Sequence, residues 1–502
     1  MRKSGNLILV SNRLPATIEP GPNGLCLKPS SGGLVTALRP VLEAKHGYWI
    51  GWPGEAYDEA ELARLLASKE SSAGCHLIPV SLTQEERRDF YNGFSNEIVW
   101  PLFHDLQSRC NFDPAYWRAY VNVNRKFAQA VTRVADNHSV VWVHDYHLML
   151  TGEFLRELGL RCQLGFFQHI PFPPLDIFEK LPWRSEILRA LFAFDLIGFQ
   201  THRDQRNFAG CVRRFLPGVE LHRQHDQLQA QMDGRTISIG SFPIGIDFDE
   251  FAREAERPEV ASRAAEIRRD VIGRQIVLGV DRLDYTKGVP ERLRAFRNLL
   301  STHKELRRQI TLIQVVVPSR EQIPRYKELK LEIETLISQI NGRYGDSGWV
   351  PIHYLHRHLK RAELLALYRT ADIALITPLK DGMNLVAKEF CAAQAGDKGV
   401  LVLSEFAGAA DQLQIGAILV NPYDIESVAG ALYRAFNMTE KERKLRMRKL
   451  RRKVRNQNVF RWCEQFCSQL ERRGSRASAD SKTRSSRPRS LAVGANYAGE
   501  RG

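Results

Sequence analysis

The sequence contains no apolar run approaching the ~18 consecutive residues that a membrane-spanning helix requires. The short stretch Asn6–Val10 (NLILV) is typical of its apolar segments. After the basic start MRKSG, the apolar stretch ends at Ser11 with no small-residue cleavage site, so no secretory signal is read and a cytoplasmic protein is expected. The eight cysteines are scattered, and only Cys463 and Cys467 stand near each other, at i,i+4 of an expected helix. That favours free thiols in a reducing compartment over a disulfide framework. No second Cys/His pair has ligand spacing, so no metal site is expected. No G-x-G-x-x-G follows any strand, which removes the nicotinamide dehydrogenases. No carboxylate pair suggests a retaining glycosidase either.

The chain has 502 residues, 43% of them hydrophobic, enough for two or three domains with sizeable cores. Apolar, β-rich runs alternate with helical patterns throughout. Predicted strands are 7–10, 48–52, 76–80, 140–143, 164–168 and 196–200, then 237–242, 276–280, 311–317, 373–377, 400–403 and 417–420. Amphipathic segments such as 116–135 and 324–340 lie between them. This pattern predicts parallel sheets covered on both faces, and so many strands divide between two α/β domains. Pro243 and Gly245 punctuate FPIGIDFDEF, placing the boundary near 242–251 and the domains at 1–245 and 246–450. A helix is expected over 451–470 and an unstructured basic tail over 471–502. No internal repeat is visible.

The formal charge of +15 is localised. Lys441–Arg455 holds ten basic residues and one acidic, and 471–502 holds eight basic and three acidic, which accounts for nearly the whole excess. A solvated helix face and tail explain it better than a nucleic-acid surface. Asp247 and Asp249 form a D-x-D; Asp249 is read as an N-terminal charge of a polar helix over 250–268 rather than a metal ligand.

Two segments carry chemistry. VDRLDYTKGVPE (280–291) sets Arg282 and Lys287 just after a buried strand. PLKDGMNLVAKE (378–389) sets Gly382 before a helix beginning at Leu385. Two cations facing a helix N-terminus suit a diphosphate. Glu389, one turn inside that helix, can accept from ribose hydroxyls. The combination reads as a nucleotide leaving group.

Both segments resemble the donor site of the trehalose-6-phosphate synthases. So do SNRLP (11–15), SGGL (31–34), GWPGE (51–55), YNGFSN (91–96), WPLFH (100–104), VHDYHL (143–148) and FFQHIPFP (166–173). The resemblance implies a retaining glucosyltransferase with two Rossmann-like domains facing each other across a cleft, the GT-B arrangement. The first domain would bind the acceptor and the second the nucleotide sugar, with the final helix crossing back to the first. It implies UDP-glucose as co-substrate, glucose 6-phosphate as acceptor and no cofactor, although the motifs themselves do not separate UDP from ADP or GDP. Arg13, Tyr91 and Arg320 would grip the acceptor phosphate, with Trp100 lining that pocket. Asp145 would bind acceptor hydroxyls, and His169 the donor glucose. Asp381 would hold hydroxyls of the transferred sugar, while Arg282 and Lys287 neutralise the diphosphate. Gly32 and Gly33 would close over the donor. Gly382, Met383, Asn384, Leu385 and Val386 would cradle it, and the backbone at Leu359 would meet the base. The leaving phosphate would take the acceptor proton in a front-face attack.

Bland alternatives stand beside these roles. Arg282 could pair with Asp281 or Asp284, Asp381 could cap the next helix, and Trp52 could be an ordinary core aromatic. His144 and His147 are left unassigned because strand alternation sends them to other faces. The competing functions are a glucosylglycerol-phosphate synthase and a non-catalytic regulatory relative. A homo-oligomer and a separate phosphatase acting on the product are expected partners.

Overall fold

The structure is a computed structural model. It describes residues 6–21, 24–29, 35, 38, 42, 47–55, 57, 62, 65–66, 75–224, 227–320 and 323–485. Gly32 and Gly33 lie outside the described residues.

The first sheet contains β1 (Leu7–Arg13), β4 (Tyr48–Trp52), β5 (His76–Pro79), β6 (Val140–His144), β7 (Gln163–Phe167), β8 (Leu196–Phe199), β9 (Glu220–Gln224), β10 (Gln227–Met232) and β11 (Arg235–Ser241). Its order is β5-β4-β1-β6-β7-β8-β11-β10-β9. The apolar runs in β1, β6 and β8 are buried on both faces, as strands covered by helices on each side must be. A hairpin of β2 (Ala16–Gly21) and β3 (Gly24–Pro29) stands apart from this sheet. Strands β9 and β10 add an antiparallel edge. None of these last four strands was anticipated. QLQAQM alternates polar with apolar residues, as a strand with one solvated face does, and ELHRQ holds a single apolar residue, so a search for continuous apolar runs passes over both.

The second sheet contains β12 (Gln275–Arg282), β13 (Ile310–Val317), β14 (Ile352–Leu355), β15 (Ile373–Ile376), β16 (Val400–Ser404) and β17 (Ile418–Val420). It is parallel throughout, in the order β14-β13-β12-β15-β16-β17. Both sheets therefore share one winding. The first strand lies centrally, the next two succeed it on one side and the fourth begins the other side. In such a sheet the strand order reverses between the first and fourth strands, and a crevice opens beyond their carboxyl ends. In the first sheet those ends are Arg13 and His144–Asp145. In the second they are Arg282 and the loop to Asp381. The repeat that the sequence hides is a repeat of topology.

The polar helix expected over 250–268 is two helices, Phe248–Ala255 and Pro258–Asp270, because Pro258 cannot continue the first and starts the second. Asp247 caps the first of these by accepting from Glu250 N at 2.9 Å, and Asp249 pairs with Arg455 at 3.4 Å. Helix Glu440–Asn456 buries Met447, Leu450 and Val454. The last helix, Val459–Ser485, lays Trp462 and Phe466 on the first sheet, where Phe466 stacks on Trp142 with ring centroids 4.3 Å apart. Leu445 and Phe460 of these helices are exposed. This helix also continues to Ser485, past the point where an unstructured tail was expected.

Candidate active site

At the end of β1, the Arg13 guanidinium lies 4.0 Å from the centroid of the Trp52 ring and 5.4 Å from that of Tyr91. Gly54, at φ +114°, leaves the space this guanidinium fills, and a Cβ there would collide with it. Tyr91 comes from a π-helix, Arg87–Val99, a wide helix form that is rare and concentrates at functional sites. From the other half of the chain Arg320, at φ +51°, lies 4.5 Å over Trp100 and donates to Tyr326 Oη at 2.8 Å. Asp284 pairs with it at 3.6 Å. Arg282 lies 5.9 Å over the same Trp100 ring. Burial pushes the Tyr91 phenol up, but Arg320, Arg13 and Arg282 outweigh it and leave the group below its ordinary value. Arg13, Tyr91, Trp100 and Arg320 thus form one electropositive pocket, with Arg282 on its border.

On the second sheet's side, Lys287 Nζ meets Asp381 Oδ2 at 2.5 Å, with both side chains mostly buried. Asp381 also accepts from Met383 N at 3.3 Å and from Asn384 Nδ2 at 3.2 Å. Burial raises its carboxyl, but Lys287 more than offsets this and it stays below the usual range. The cap of helix Leu385–Ala393 is Asn384, at φ +74°, which accepts from Ala387 N at 3.2 Å. Asp381 therefore braces the cap residue rather than serving as the cap. The first-turn N–H groups of Leu385 and Val386 face outward from the helix end, where the dipole favours an anion. Glu389 accepts from Tyr368 Oη at 2.8 Å, and burial raises its carboxyl. Leu359 sits half-buried in the loop after β14. At Gly382 the demand is close approach, since a Cβ would strike the His169 carbonyl of the other half.

The ion pair suggested for Arg282 does not form. Asp281 pairs with Arg292 at 2.5 Å and Asp284 with Arg320, so Arg282 has no ion pair among the described residues. Asp145 takes φ +72°, an unfavourable conformation for a residue with a side chain, and His169 N donates to its Oδ1 at 3.2 Å. Burial pushes its carboxyl up to about 6, against opposing hydrogen bonds and Arg282. His169 is held neutral by burial, at about 3, and both its ring nitrogens are engaged: Nε2 by His144 Nδ1 at 3.1 Å, Nδ1 by Gln200 at 3.3 Å.

His144 and His147 belong at this site, contrary to the alternation argument. The strand ends at His144 and the chain reverses at Asp145 into a 3-10 turn, so the two-residue period does not carry across. His147 lies parallel to the Tyr91 ring at 6.0 Å. His104 was also missed. It donates from Nδ1 to the Trp100 carbonyl at 2.7 Å, and burial lowers it to about 4. Its place in WPLFH, one helical turn from Trp100, was the available signal. Among the described residues no group of three or more His, Cys, Asp or Glu side chains could hold a metal.

The sequence model of glycosyltransferase family 20 matches residues 5–472. The chain belongs to glycosyltransferase family 20. It is 43% identical over 472 residues to the trehalose-6-phosphate synthase of Mycobacterium sp. (strain KMS), covering 93% of this chain and 95% of that one. The Mycobacterium leprae (strain TN) trehalose-6-phosphate synthase is 42% identical, with 93% and 94% covered. Among solved structures, a UDP-forming α,α-trehalose-phosphate synthase from Burkholderia xenovorans in complex with glucose 6-phosphate aligns with TM-score 0.84 and 35% identity, over 93% of this chain and all of that one. The Escherichia coli protein bound with UDP-2-fluoro glucose aligns at 0.83 and 34%, over 93% and 99%. The two-sheet GT-B arrangement expected from the motifs is the one found. Among the described residues no helix of this family 20 chain is long and apolar enough to cross a membrane.

Proposed function

We propose that this chain transfers the glucosyl group of UDP-glucose to glucose 6-phosphate, giving α,α-trehalose 6-phosphate and UDP with retention at the anomeric carbon. The observation that carries this reading is the convergence of two separate cationic groupings on one cleft. Arg13, Arg320 and Tyr91 suit a sugar phosphate on one side. Arg282, Lys287 and the start of helix Leu385–Ala393 suit a diphosphate on the other.

The bond from the glucose anomeric carbon to the diphosphate breaks while Lys287, Arg282 and the helix start hold the departing charge. The acceptor's anomeric hydroxyl attacks from the same face, and its proton goes to the leaving phosphate oxygen. Asp381 holds hydroxyls of the transferred sugar and Asp145 orients those of the acceptor. Glu389, steadied by Tyr368, takes the ribose hydroxyls, and the backbone near Leu359 meets the uracil. No cofactor or metal takes part, because cations and helix end occupy the role a divalent ion plays elsewhere. We further propose a cytoplasmic enzyme, able to self-associate, with a separate phosphatase consuming its product.

The test is a product assay with UDP-, ADP- and GDP-glucose against glucose 6-phosphate and glycerol 3-phosphate. Trehalose 6-phosphate formed preferentially from UDP-glucose, and undiminished by a chelator, is the expected result. Preference for the glycerol phosphate would replace the acceptor assignment.

A further inference from the structure

Among the buried ionisable groups that the transfer chemistry does not use, Lys388 has an unusual position. It precedes Glu389 in helix Leu385–Ala393 and is 1% exposed. Its Nζ donates to the Ile244 carbonyl at 2.5 Å. Ile244 lies in the segment between β11 and helix Phe248–Ala255, which joins the half built on the first sheet to the half built on the second.

The line continues beyond Ile244. Its N–H donates to Gln200 Oε1 at 2.9 Å. That fixes the amide: the oxygen is taken, so Gln200 Nε2 is the group facing His169 Nδ1 at 3.3 Å. An N–H pointing at Nδ1 requires a lone pair there, so the His169 proton sits on Nε2. From Nε2 it faces His144 Nδ1 at 3.1 Å. His144 in turn carries its proton on Nε2, which is buried and has no acceptor among the described residues. Every donor in the series points the same way; the Gln200 amide and the His169 ring pass polarisation on to His144, while Ile244 links its two peptide groups mechanically through Cα.

We propose that Lys388 and Gln200 are positioning residues for glucosyl transfer, tying the donor helix through Ile244 to the His169 ring and holding that ring as its neutral Nε2–H tautomer. The proposal rests on the placement of His169 beside the donor glucose. Positive charge develops on the sugar during transfer, and a second proton on the neighbouring imidazole would oppose it. A ring whose Nδ1 already receives an N–H resists taking that proton. Because the line passes through the joining segment, a shift of the donor helix would move the ring with it.

Gln200→Glu tests this with little change of shape. The carboxylate still accepts from Ile244 N–H but offers no donor to His169, so Nδ1 must take up a proton. In histidine-selective 15N spectra of the resting full-length enzyme, with His169→Asn identifying the signal, His169 should change from the Nε2–H tautomer to the doubly protonated ring. The kcat should fall about tenfold with the KM for glucose 6-phosphate within about twofold, the pattern of a lost transition-state interaction. Lys388→Met keeps the bulk and removes the donor, and a smaller fall is expected. Residues acting as one line are non-additive, so the double variant should lose little more than Gln200→Glu alone. If Lys388→Met does not fold, Gln200→Glu still decides. An unchanged tautomer refutes the line. A changed tautomer with unaltered kcat refutes its role in transfer and, separately, the placement of His169 at the donor sugar. Losses that multiply in the double variant refute coupling through Ile244.

Discussion

Helix Glu440–Asn456 and the cleft are both rich in arginine and lysine, and they dispose of charge in opposite ways. On the helix the cations find counter-charges close by. Lys444 pairs with Glu440 and Arg446 with Glu442, each at 2.8 Å, while Arg448 and Arg451 share Asp397 at 3.1 and 3.2 Å. Arg443 turns inward and donates to the carbonyls of Ala435, Phe436 and Met438. In the cleft, Arg13 lies on Trp52, Arg282 has no ion pair among the described residues, and Arg320 reaches Asp284 only at 3.6 Å. Aromatic faces support a guanidinium without neutralising it. Local charge density is therefore a poor guide to an anion site. What distinguishes this cleft is that Arg13 and Arg282 lie against aromatic faces, while Lys287 keeps Asp381 at 2.5 Å.

Arg292 and Arg282 give the sharpest contrast. Arg292 is fully buried, pairs with Asp281 at 2.5 Å and donates to Thr377 and Gln314. Arg292→Leu leaves Asp281 buried and unpaired, which should cost about 3–5 kcal/mol of stability in denaturant melts. Arg282→Ala should leave the melts nearly unchanged and lower kcat by about 10²–10³, some ~3–4 kcal/mol of stabilisation lost from the departing diphosphate, while Lys287→Ala, which strands the mostly buried Asp381, should lower kcat similarly and also destabilise the protein. If Arg282→Ala unfolds the protein instead, the distinction between saturated and unsaturated arginines fails.

Asp145 sharpens the contrast on the acid side, where burial lifts its carboxyl to about 6. A raised value means the proton leaves only as pH climbs through that point. In its proposed role as acceptor of a substrate hydroxyl it must be ionised, so kcat/KM should rise about tenfold between roughly pH 5 and 7. Asp145→Asn should abolish that limb in a pH–rate profile. The smallest effect is expected on the basic helix, since exposed ion pairs contribute only ~0–1 kcal/mol. Arg448→Ala should leave the melting temperature and the rate within a narrow margin of the parent.

Much of this was legible in the chain, for identifiable reasons. Strands buried on both faces, such as LILV at β1 and QIVLGV in β12, announce themselves by continuous apolar residues. Helix Leu385–Ala393 is marked by the polar, Gly-containing turn before it. The half-solvated strands β9 and β10 leave a weaker trace. At the site, motifs supplied the residues proposed to touch substrates. They did not supply those acting through a neighbour: Tyr326 on Arg320, Tyr368 on Glu389, Gln200 on His169. The last two join segments 21 and 31 residues apart, and the six-residue spacing of Arg320 and Tyr326 does not match the helix period. His144 and His147 failed differently, because a single positive φ at Asp145 resets the geometry that strand periodicity assumes.

In the proposed transfer the cleft holds two anion sites with separate cations, Arg13 serving the sugar phosphate and Arg282 with Lys287 the nucleotide. Calorimetric titration of Arg13→Ala with glucose 6-phosphate and, separately, with UDP tests it most directly. Sugar-phosphate affinity should fall about tenfold or more, as for a lost charge-assisted hydrogen bond, with the Kd for UDP unchanged. An equal loss of both affinities would contradict it, because Arg13 would then belong to a single shared site.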